Sequence, residues 1–153
     1  MQSRFLNVEA YFDILMKRAE MVKNWKKYVG EVAKAVKSLL PDSRIYVFGS
    51  VVKGEYTGGS DVDVLIVSKE APRSSLERVK IRMMIEESAN LPPYHPFEFH
   101  IVDEEEGKRY FSKIKEIVEF LEYSFHSLVL IIRMTAIANS MIEEIRKPIT
   151  LSF

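Results

Sequence analysis

Two aspartates one residue apart, Asp61 and Asp63, lie in the apolar run "SDVDVLIVS". In an extended segment alternate residues share a face, so both carboxylates project the same way, about 7 Å apart along the chain. Like charges so placed repel unless a cation sits between them. Magnesium answers that need. It takes oxygen ligands, commonly one or two carboxylates together with phosphate oxygens. An isolated Asp-x-Asp is about as often a pair of surface charges on a sheet face, but the apolar flank "VDVLIV" argues for an inner strand and so for a metal site. Upstream, Gly49-Ser50 closes another apolar run, "RIYVFG". Glycine lets backbone amides approach a ligand, and a helix starting at Ser50 favours an anion such as phosphate. Lys53 adds a positive charge to the same spot, and Gly54 keeps the loop open. As a bare dipeptide Gly-Ser is simply a turn.

A third carboxylate comes later, in "HPFEFHIV". Strand alternation puts Glu98, His100 and Val102 on one face and Phe97, Phe99 and Ile101 on the other. If this strand neighbours the aspartate strand, Glu98 lines up beside the pair. It can then complete metal coordination or activate a hydroxyl nucleophile; otherwise it is a solvated carboxylate on an open face. His100 shares that face and can contact a nucleotide or tune Glu98, although such histidines more often hydrogen-bond their neighbours. His95, between Tyr94 and Pro96, reads as a loop residue.

The elements that position these residues are legible in outline. From Val8 to Leu40 large apolar residues recur at helical spacing, among them Phe12, Leu15, Met16, Val22, Trp25, Val29, Val32 and Val36. One unbroken helix there would be about 50 Å long, so a break near Asn24 or Gly30 is expected, with an end at Pro41. Trp25 and Tyr28 are placed to pack in a core or dimer rather than to stack on a base. "KNWKKY" mixes basic and aromatic residues but reads as the solvated side of an amphipathic helix. Strands are expected over "RIYVFG", "SDVDVLIVS" and "PFEFHIVD". A helix capped by Ser74 or Ser75 lies between the last two and stops before Pro92. "EEEGKRYFSKIKEIVEFLEYSF" reads as one helix, with Glu104, Glu105 and Glu106 suiting its dipole. Strands mixed with helices and no internal repeat give an α+β or α/β domain.

"GS", then the ten residues from Val51 to Ser60, then "DVDVLIV" resembles the signature of the nucleotidyltransferase superfamily related to DNA polymerase beta. The match is closest to the minimal nucleotidyltransferases, and "VFGSVVKGEYTGGSDVDVLIVS" and "LPPYHPFEFHIV" look particularly like archaeal members. The resemblance covers about Arg44 to Asp103 and implies an α+β fold, a mixed sheet flanked by helices with the site on one sheet face. It implies that Gly49 and Ser50, with Lys53 and Ser60, hold a nucleoside triphosphate. It implies that Asp61 and Asp63 bind two Mg²⁺ ions and that Glu98 is the third catalytic and metal-binding carboxylate. Many members carry Asp there, so Glu98 is a departure; Asp103 is the fallback, with a helix-capping role as its alternative. The implied reaction moves a nucleoside monophosphate from an NTP, ATP above others, to a protein, nucleic-acid or small-molecule acceptor. Some members act as antitoxins toward a separate helical protein, which makes such a partner the alternative reading, beside a module that binds nucleotide without turnover.

Length and composition set the bounds. A chain of 153 residues, 47% apolar, suits one domain with a sizeable core. The expected division is a core over residues 44–103, N-terminal helices over 8–40 and C-terminal helices over about 104–147. Twenty-two basic residues balance 22 acidic ones, so no bulk charge steers the molecule onto nucleic acid. The absence of cysteine excludes disulfides, thiolate metal sites and cysteine nucleophiles. No signal-like segment opens the chain, and Phe125 to Ile142 is interrupted by His126, Arg133 and Asn139, so a cytoplasmic protein is expected. The stretch from Phe125 to Ile145 is apolar on nearly all sides, which makes it a candidate homodimer interface.

Overall fold

The computed structural model describes residues 2–121, with side chains from Asn7 onward. Helix α1 spans Gln2–Lys23 and α2 spans Trp25–Leu39. The expected break falls at Asn24, whose ψ of 26° leaves the helical range, while Gly30 stays inside α2. The apolar stripe divides there. Met21, Val22, Trp25, Val29, Val32 and Val36 are buried, whereas Phe12, Leu15 and Met16 face outward. Tyr28 rests against Phe97 with ring centroids 5.9 Å apart, so the aromatic pair in "KNWKKY" serves packing as expected.

The sheet is built from β1 (Arg44–Phe48), β2 (Val62–Val67), β3 (Phe97–Val102) and β4 (Ile117–Glu119), in the order β3-β2-β1-β4. β1 is antiparallel to both β2 and β4, and β2 is parallel to β3. It is therefore a mixed sheet in an α+β fold, as the sequence implied. The one-turn helix α3 (Ser50–Lys53) follows β1, α4 (Ser75–Ser88) precedes β3, and α5 (Glu104–Lys113) follows it. Ser74 caps α4 by accepting from the Glu77 amide at 3.5 Å. Asp103 and Glu106 close a reciprocal capping box on α5, at 2.8 and 3.1 Å. Asp103 thus serves the helix end rather than the carboxylate site.

Alternation sorts the two faces of the sheet. Val62, Val64 and Ile66 of β2 join Ile45, Val47, Phe99 and Ile101 in the main core against α2 and α4. Leu65 and Val67 face the other way with Tyr46 and Val102, partly covered by Phe48, Tyr110 and Ile117. Asp63 belongs to this second, less covered face.

The expectation of one unbroken helix from Glu104 needs correction within the described residues. The helix over "EEEGKRYFSK" ends at Lys113, and Ile114 is already extended, with φ −93° and ψ 119°. The chain then adds β4 to the free edge of β1, and the Phe120 amide donates to the Ile45 carbonyl at 2.8 Å. β-branched Ile117 and Val118 suit that strand, and an unpaired edge offers hydrogen bonds that a longer α5 would forgo. The expected homodimer segment, Phe125 to Ile145, lies outside the described residues. Among the described residues, no helix is long and apolar enough to cross a membrane.

Candidate active site

Register places the carboxylates. In the parallel β2–β3 ladder Asp63 is the partner of Glu98, and Leu65 is the partner of His100. Each of Asp63, Glu98 and His100 offers a ligand atom, and the three atoms lie within 4.8 Å of one another. His100 Nε2 is 3.4 Å from Asp63 Oδ1, and the Tyr110 hydroxyl is 3.3 Å from His100 Nδ1. Tyr110 thereby fixes the ring from the side away from the carboxylates. Phe48 and Tyr110 flank the imidazole with centroids at 5.5 and 5.6 Å. Phe48, Asp63, His100 and Tyr110 line a cavity of about 520 Å³, and Arg109 and Lys113 of α5 are also in its lining.

Gly49 is fixed by contact as well as by conformation. Its φ of 87° and ψ of −160° belong to a region essentially restricted to glycine. A Cβ built there would stand 2.6 Å from Asp63 Oδ2. The glycine therefore lets the strand end approach the carboxylate. Ser50 opens α3, and Lys53 sits exposed in its last residue.

The structure does not bring every expected residue together. Asp61 precedes β2 by one position and is largely exposed, so it is not inside the strand as the sequence reading had it. Its carboxylate is outside the cluster and pairs with Arg18 of α1, Nη2 to Oδ1 at 2.5 Å. Arg18 Nη1 also donates to the Ser60 carbonyl at 3.1 Å. The Ser60 hydroxyl accepts from the Thr57 amide at 2.9 Å and so organises its own loop. Arg18 and Tyr110 were not legible as site residues. Arg18 lies 43 positions from its partner and carries no local signal. Tyr110 needed the crossing of α5 over β3 to be seen.

The charged rim has a fixed member. Arg78 makes a two-pronged pair with Glu106, at 2.7 and 3.2 Å, and this hydrogen bonding holds the Glu106 carboxyl below its ordinary range. Arg78 is thus committed to α5. Two carboxylates and an imidazole converging this closely form a donor set that fits a divalent cation. Asp63 and Glu98 would supply the oxygens and His100 a nitrogen, held on its other side by Tyr110 as metal-binding imidazoles usually are.

A mixed sheet carries the facing carboxylates Asp63 and Glu98, with Gly49 packed against Asp63. The family model of the nucleotidyltransferase domain matches residues 29–132 of this chain, and the chain belongs to that family. The chain is also similar to named proteins. Over 57 residues, 37% of this chain and 52% of the relative, it is 40% identical to a Methanocaldococcus jannaschii protein named "Putative protein adenylyltransferase MJ0141". The chain therefore spans about half the length of that curated relative. Among solved structures it is similar to one described as a "putative nucleotidyltransferase", at 32% identity, 60% of this chain, 95% of the other and a TM-score of 0.49. A Sulfolobus solfataricus structure of the same description is 29% identical, covering 70% of this chain and 86% of the other, with a TM-score of 0.43.

Proposed function

We propose that the protein transfers a nucleoside monophosphate from an NTP, with ATP as donor, to a hydroxyl acceptor and releases pyrophosphate. The observation that carries this reading is the direct pairing of Asp63 with Glu98 across two parallel strands, with Gly49 against Asp63. The name of the Methanocaldococcus relative favours adenylyl transfer to a protein side chain. Divalent ions such as Mg²⁺, when bound, supply charge for the entering and leaving oxygens of an in-line displacement.

The chain's own residues do the rest. Gly49 and Ser50 leave room for the triphosphate beside Asp63, and Lys53 offsets its charge. Glu98 takes the proton of the acceptor hydroxyl as its oxygen bonds to the α-phosphorus. The bond from that phosphorus to the bridging oxygen of the β-phosphate breaks, and the electron pair leaves with pyrophosphate. Asp63 and Glu98 would hold the cation, and Asp61 would join them if its carboxylate turned inward. The cavity lined by Asp63, His100, Phe48 and Tyr110 supports this reading as a space for an acceptor side chain.

Titration of ATP into the full chain with and without Mg²⁺, by calorimetry, tests this. Binding is expected only with Mg²⁺, and Asp63→Asn is expected to abolish it while the unfolding midpoint stays close to wild type. Equal ATP binding by Asp63→Asn and wild type refutes the site.

A further inference from the structure

We propose that Arg18 is a placeholder cation, whose guanidinium holds Asp61 away from the metal cluster and must be displaced when Asp61 takes up a divalent ion. This rests on the nucleotidyl-transfer reading of the same site. Asp61 stands two residues before Asp63 and one position short of β2, so extending the strand by one residue would put its carboxylate on the face of Asp63. Instead its Oδ1 lies 2.5 Å from Arg18 Nη2, while Arg18 Nη1 is bound to the Ser60 carbonyl at 3.1 Å. Two contacts from one planar fork fix direction as well as distance. Among the described residues, Arg18 is the cation that pairs with Asp61.

The fork is delivered from a helix seated on the loop. A Cβ added at Gly58 would lie 2.8 Å from the Ala19 Cβ, one residue along α1 from Arg18. The glycine thus permits α1 to touch the loop that leads into β2. Arg18 is itself the better shielded partner, with a side chain 21% exposed against 59% for Asp61. The carboxylate is therefore the half of the pair free to leave. A guanidinium and a dication both need the oxygen lone pairs of Asp61, so each weakens the other's hold. Once displaced, the fork remains beside the loop, where its geometry suits a phosphate oxygen pair. Arg18 is a positioning residue: it sets how much divalent ion is needed before Asp61 joins the site.

The test uses the full chain without nucleotide. Free Mn²⁺ is followed by electron paramagnetic resonance during titration of wild type, Arg18→Met, Asp61→Asn and the double variant. The Mn²⁺ concentration that half-fills the last ion bound is expected to fall about fivefold in Arg18→Met, the upper worth of a partly exposed ion pair. In the Asp61→Asn background, Arg18→Met is expected to change nothing, because the arginine acts through that carboxylate. Unchanged or weaker Mn²⁺ binding by Arg18→Met, with wild type binding normally, overturns the placeholder role alone. No Mn²⁺ binding by either protein overturns the nucleotidyl-transfer reading with it. A wild-type measurement guards against a variant that fails to fold: the Arg18 side-chain N–H resonance is expected to move on Mg²⁺ addition. A resonance unmoved at saturating Mg²⁺ overturns the proposal.

Discussion

Gly49→Ala is the perturbation with the clearest geometric cost. At φ 87° and ψ −160°, an alanine backbone is strained by about 1–3 kcal/mol. Its Cβ would also meet Asp63 Oδ2 at 2.6 Å. Carbon and oxygen normally approach no closer than about 3.3 Å, so the carboxylate would recede by roughly 0.7 Å. That retreat disturbs its 3.4 Å contact with His100 and its place beside Glu98. Strain and displacement together give a loss of about 3 kcal/mol, or about 10 °C in Tm for a domain of this size. Misplacing one ligand is expected to weaken metal binding by at least about tenfold. Urea unfolding and Mn²⁺ titration of one preparation measure both. Gly54→Ala is the internal control: Gly54 also has positive φ, 74°, but a Cβ there meets nothing within 4 Å. It is expected to cost about 1–2 kcal/mol and leave Mn²⁺ affinity unchanged. Gly49→Ala with wild-type Mn²⁺ affinity and a loss under about 1 kcal/mol would refute the close-approach reasoning.

Two further outcomes follow from particular residues. His95 is enclosed and accepts the Phe97 amide on Nδ1 at 3.1 Å, so the folded state keeps the ring neutral; burial, opposed by Glu86, lowers its pKa below the ordinary value. The unfolded chain takes up that proton near pH 6.5 while the folded chain resists, so this stability is complete above about pH 6.5 and falls as the pH drops below it. Urea midpoints from pH 7.5 to 5 are expected to decline less steeply in His95→Gln, and identical slopes for both proteins would refute the assignment. Glu98→Gln keeps the shape of the side chain and removes its charge. Pyrophosphate release with an added hydroxyl acceptor is expected to fall by about 100-fold while Mg-ATP affinity falls much less; an equal loss of both would make Glu98 chiefly a ligand.

Much of the site was readable because strand alternation is strict. The faces of Asp63, Glu98 and His100 follow from a period of two, and the observed core on the other face of β2 and β3 agrees. What alternation could not supply was adjacency. Glu98 could reach Asp63 only if β3 lay next to β2, and the parallel register decided that. The end of α5 lies beyond what helical propensity can fix, because it is set by the open edge of β1, to which Ile117 and Val118 pair.

The amino-acid sequence by itself determined the family signature and the shared face of Asp63, Glu98 and His100. Those properties depend on residue type and on spacings of a few positions. Only the tertiary structure decided which cation answers Asp61: Arg18, carried on a helix 43 residues upstream. It also decided that Tyr110 steadies His100 and that Gly49 must stay bare against Asp63. Contacts between distant segments depend on how helices and strands are laid against one another, and no local pattern encodes that.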